Sequence, residues 1–88
     1  MKIFLVGYEF SGDDYYTDFT PIAAYVTHKN AVKAMNECAY DIVNGKFDKA
    51  INKGDCEVVH VRDYQIVLYA KEKHNEARLT IQEIELID

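Results

Sequence analysis

The sequence predicts an α+β fold: a four- or five-stranded, mainly antiparallel sheet with one long helix packed on one face. Three observations carry that reading. The chain ends in two β-patterned runs, YQIVLYAKEK and RLTIQEIELID, joined by the polar link HNEA. It opens on another such run, MKIFLVGYEF. Between them, residues 27–44 repeat apolar side chains at helical spacing. Alternation of period two marks strands, and recurrence near every fourth residue marks a helix.

The first strand is expected over residues 2–10. Ile3 and Leu5 share one face, and Phe4, Val6, Tyr8 and Phe10 share the other. Apolar residues on both faces suit a strand inside the sheet. Gly7 stands alone there and marks close packing or a bulge. The segment SGDDYYTDFT reads as a loop from its Ser, Gly and Asp content. Pro21 lacks an amide donor and suits the start of a strand, so a second strand is placed at 22–26.

Thr27 is a natural helix N-cap, because its hydroxyl can accept from an unpaired first-turn amide. Ala31, Met35, Cys38, Ala39 and Ile42 then lie on one helical face, widened by Val32 and Val43. Asn44-Gly45 tolerates the left-handed conformation that ends a helix. A short helical turn is read over 46–54. Strands resume at 56–61, 64–72 and 78–87. The last of these changes phase: Leu79 and Ile81 share one parity, Ile84 and Leu86 the other. A bulge at Gln82-Glu83 would return both pairs to one face; a final strand buried on both faces is the competing explanation, which Glu83 and Glu85 disfavour. The expected core is Ile3, Leu5, Val26, Met35, Cys38, Ala39, Ile42, Val58, Leu68, Leu79, Ile81 and Leu86.

Composition bounds the function. Eighty-eight residues make one domain, 1–88, with one core. An apolar fraction of 49% argues against disorder. No apolar run approaches a membrane span and the opening lacks a signal peptide's cleavage region, so a cytoplasmic protein is expected. Cys38 and Cys56 read as reduced, buried thiols. The net charge is −5, split as −3 over residues 1–27, +2 over 28–54 and −4 over 55–88. Phosphate neutralisation needs clustered bases, so direct nucleic-acid binding is not expected. A basic protein surface is the better electrostatic match.

Catalytic and metal chemistry find little support in these residues. Cys56 and His60 would lie more than about 10 Å apart along a strand. That is too far for one zinc ion, whose ligand bonds are about 2 Å. Ser11 has no glycine-rich elbow, and Cys38 on an apolar helical face would have its thiol pKa raised. No phosphate-binding glycine motif is present, so neither cofactor nor metal is expected. The locally unusual segment is the first loop, where Asp13, Asp14 and Asp18 alternate with Tyr15, Tyr16 and Phe19. Such rings can anchor an interface while the carboxylates steer encounter; the plainer reading is a solvated loop whose rings fold back over the sheet. His28, Lys29 and Lys33 put cations at a helix start, where free amides could help hold an anion, although solvation explains exposed lysines as well.

The opening MKIFLVGYEF, the passage IAAYVTHKNAVKAM and the terminal LTIQEIELID give a β-β-α-β order. On those blocks the chain resembles the small accessory proteins of bacteriophages and other mobile elements. The resemblance is architectural and carries over no functional residue. It implies stoichiometric binding to a host factor inside a bacterial cell, with anti-CRISPR proteins and other inhibitors of host defence as one subset. The expected function is therefore a non-enzymatic protein-binding modulator. Two other classes stay open: a small-molecule or nucleotide binder using the sheet face opposite the helix, and a structural homo-oligomer joined through a sheet edge.

Overall fold

The computed structural model describes residues 1–12, 18–43, 56–70 and 75–87. They form an antiparallel sheet with one helix against it. In chain order the elements are β1 (Lys2–Ser11), β2 (Thr20–Tyr25), α1 (His28–Val43), β3 (Cys56–Arg62), β4 (Gln65–Ala70) and β5 (Asn75–Glu85). Across the sheet the order is β2-β1-β5-β4-β3, with every neighbouring pair antiparallel. The first and last strands of the sequence thus lie side by side, and both are inside the sheet. Their two-sided apolar character follows from that position.

Thr27 caps α1 as its residue type predicts. The Asn30 amide donates to Thr27 Oγ1 at 3.2 Å, and the Ala31 amide donates to the Thr27 carbonyl at 3.2 Å. The helix has no acid in its first turn and no base in its last. Its dipole therefore goes uncompensated, and tertiary packing has to hold it. That packing is a stripe of Ala31, Met35, Ala39 and Ile42 against Val6, Phe10, Ile66, Leu68, Ala70, Ala77, Leu79 and Ile81. The alanines let backbone approach backbone, while Met35, Ile42, Leu68 and Leu79 fill the volume between.

Several expectations about the core are corrected. The helix packs on the Phe4, Val6, Tyr8 and Phe10 parity of β1, so Ile3 and Leu5 face the other way and are partly exposed. Both parities of β1 are apolar, and α1 covers the one with more and larger side chains. Val26 is exposed because it lies in the bend before α1, beyond the end of β2. Val58 is exposed because α1 does not extend over β3. Cys38 is partly buried at the flank of the core rather than within it.

The bulge expected at Gln82-Glu83 is absent. β1 and β5 pair without a break from Lys2↔Glu85 to Ser11↔Glu76. Ile84 pairs with Ile3 on the face away from α1, and Leu86 lies past the strand end, exposed. The phase change has a different cause. The helix-side position opposite Phe4 is Glu83, and that end of the sheet is closed by charge. Lys2 Nζ lies 3.4 Å from Glu83, and the N-terminal amine lies 3.6 Å from Glu85. Register shifts do occur, at Val6/Gly7 between β1 and β2, where Ile22 is the extra residue, and at Val58/His60 in β3. Gly7 serves the first of these. A Cβ there would collide with the edge of the Phe19 ring and lie 2.8 Å from the Thr20 carbonyl oxygen.

Candidate interaction surface

Directly opposed residues of an antiparallel pair share a face, so the register assigns the side chains on the side of the sheet opposite α1. Ile3, Leu5 and Glu9 come from β1; Arg78, Thr80 and Ile84 from β5; Val67 and Tyr69 from β4; His60 and Arg62 from β3. Among the described residues no element covers this face. Val67 is nevertheless 7% exposed and lies outside the cluster beneath α1. Its flanking partners in register are Arg78 and His60, whose stems can shelter an apolar neighbour between them. Arg78 Nη2 donates to Glu76 Oε2 at 3.1 Å, while its Nε is buried with no hydrogen-bond partner among the described residues.

The face is apolar at one end and polar at the other. Ile3, Leu5 and Ile84 are grouped near the chain terminus, partly exposed. Phe19 lies over Gly7 on the same side, since a Cβ at Gly7 would project toward its ring. Toward the β3–β4 turn the surface becomes polar, with His60, Arg62, Gln65 and Thr80 around a hollow of about 510 Å³. Arg62 Nε donates to His60 Nε2 at 3.3 Å there.

The residues expected to form sites separate. Asp18 is exposed and its carbonyl accepts from the Thr20 hydroxyl at 3.1 Å. Phe19 is partly buried against Gly7. Asp13, Asp14, Tyr15 and Tyr16 lie outside the described residues, as does the short helical turn read over 46–54. His28 makes structural contacts. Its ring stacks on Tyr64 with centroids 4.5 Å apart, meets Phe4 at 5.6 Å, and places Nε2 3.1 Å from the Asp63 carbonyl. The start of α1 is thereby fastened to the β3–β4 turn. Lys29 and Lys33 are exposed along the helix. No signal in the sequence marks the seat of His28, because Phe4, His28 and Tyr64 come together only through topology.

Two other concavities lie along α1. One groove of about 430 Å³ runs between β2 and α1, bordered by Tyr8, Ile22, Tyr25, Ala34, Cys38 and Asp41. Burial pushes the Cys38 thiol up to about 11, and the Asp41 carboxylate adds to the shift. A thiol held in its protonated form is a weak nucleophile. A larger hollow of about 720 Å³ is bordered, among the described residues, by α1 side chains including Lys29, Lys33, Asn36 and Tyr40. Among the described residues no group of three His, Cys, Asp or Glu side chains is placed to hold a metal ion. None of the described helices is long and apolar enough to cross a membrane. Comparison with known proteins finds no matching family model, no matching curated protein and no matching solved structure.

Proposed function

We propose that this chain is a non-enzymatic protein-binding modulator that seats its partner on the sheet face opposite α1. One observation carries the reading: Ile3, Leu5, Ile84 and Phe19 stand on a face that no described element covers. Apolar residues ringed by polar ones are the usual make-up of a protein interface. The polar margin holds Glu9, and Asp18 immediately precedes Phe19 in the chain. With a net charge of −5, the whole chain favours a basic partner and faster encounter with it. Asp13 and Asp14 are the proposed steering groups, and Tyr15 and Tyr16 the proposed anchoring groups. The resemblance to phage accessory proteins makes an inhibitor of a bacterial host factor, in the cytoplasm, the concrete form of the proposal.

A tagged chain passed through bacterial lysate tests it. The reading expects one host protein retained in fixed stoichiometry, and released more readily as salt rises. A thermal shift with a metabolite panel and no retained protein would overturn it in favour of a ligand binder.

A further inference from the structure

We propose that the outer edge of β3 pairs with β3 of a second copy of this chain, about a two-fold axis passing beside His60. β3 ends the strand order, so one of its sides meets no described strand. Val58 and Val61 lie on the helix side through their register partners Leu68 and Ile66. They are 52% and 65% exposed, since α1 packs on β1, β2, β4 and β5 rather than on β3. Exposed β-branched residues on an unpaired edge are the features that recruit another strand.

The strand is complementary to itself. Passing over the extra residue at the Val58/His60 register shift, it reads Glu57, Val58, His60, Val61, Arg62, with faces alternating. Antiparallel partners must share a face, which allows only shifts of two. Turning the run about His60 sets Val58 against Val61 of the second copy and Glu57 against its Arg62, each contact made twice. A shift of two either way shortens the ladder and puts Glu57 or Arg62 opposite His60 instead. Glu57 also interacts within its own chain, and a carboxylate has lone pairs for more than one donor. Arg62 contacts His60 through Nε at 3.3 Å, and a guanidinium carries further N–H donors.

Bulges often blunt edges, but here the axis sets the two copies of the bulge symmetrically on either side of the His60 pair, each facing the His60–Val61 step of the other strand. The product is one continuous sheet with both helices on the same side. It extends the face opposite α1 across two chains and leaves the Ile3, Leu5 and Ile84 end of each copy clear.

Light scattering and sedimentation equilibrium on the full chain test the inference. The expected result is a reversible dimer of the 10.2 kDa chain. Glu57→Arg and Arg62→Glu should each weaken it by at least about tenfold, because like charges then face each other twice. The combined Glu57→Arg, Arg62→Glu chain should restore it. Val58→Lys, at a half-exposed position, should abolish it while leaving the chain folded. A monomer at millimolar concentration would overturn the inference, as would a dimer indifferent to Val58→Lys. Folded single variants that lose the dimer, with no rescue in the double, would overturn the register and the inference with it.

Discussion

Ile81 and Ile84 are three residues apart on β5 and chemically identical, yet the register gives them different surroundings. Ile81 is 4% exposed beneath α1, opposite Val6, while Ile84 sits opposite Ile3 on the other face, partly exposed. Truncation to alanine removes three carbons in each case. At about 0.8 kcal/mol per buried carbon, Ile81→Ala loses about 2.4 kcal/mol of transfer free energy. The cavity it leaves under Met35 and Leu79 brings the total to about 3–4 kcal/mol. Ile84→Ala opens no enclosed cavity and removes side chain already part-solvated, so its cost should be about 1 kcal/mol. A chain of this size has a total stability of roughly 5–13 kcal/mol, so the two variants are easily told apart. Urea unfolding followed by circular dichroism reads the difference: with a slope of about 1.5 kcal/mol per molar, Ile81→Ala moves the midpoint down by about 2 M. Equal midpoints for the two variants would refute the unbroken β5 register and the two-faced sheet built on it.

Other outcomes follow from single contacts. Thr27→Ala should cost about 1 kcal/mol in the same urea experiment, because the Asn30 amide loses its hydroxyl acceptor. Gly7→Ala should cost about 1–3 kcal/mol, since the methyl group meets Phe19 and the Thr20 carbonyl oxygen. Adding Phe19→Ala should recover part of that loss, and strict additivity in the double-mutant cycle would be evidence against the contact. The Cys38 thiol, up to about 11 in the folded chain, should make stability fall as pH rises from 9 toward 11, where the unfolded thiol ionises first. That slope is the difference between parent and Cys38→Ala, and identical pH profiles would exclude it.

Much of the architecture was legible because it rests on periodicity. The helix is there from residue 28 to 43, its cap is Thr27, and β1 has the two-sided apolar pattern of an interior strand. Which face the helix would cover was not legible, since Ile3 and Leu5 alternate as well as Phe4, Val6, Tyr8 and Phe10. That choice depends on α1 and β1 meeting across the whole fold. The Ile81-to-Ile84 phase change was seen, but local repair by a bulge was the wrong inference. The strand stays regular and gives Ile84 to the other side of the sheet, opposite Ile3, the alternative that Glu83 and Glu85 disfavour in the sequence. The aromatic seat of His28 was equally hidden, because Tyr64 lies 36 positions away in the chain. Of the candidate site, Phe19 and Asp18 were singled out from composition, while the apolar end of the open face emerged only with strand order.

Binding of the retained host protein by two variants tests the central claim most directly. Ile84→Lys places a charge in the apolar end of the open face, while Lys29→Glu with Lys33→Glu reverses the charge on the outer surface of α1. The account predicts that Ile84→Lys, still folded, weakens binding by at least about tenfold, whereas the helix variant binds like the parent. Loss of binding in the helix variant with full binding by Ile84→Lys would contradict it, and would move the working surface to α1.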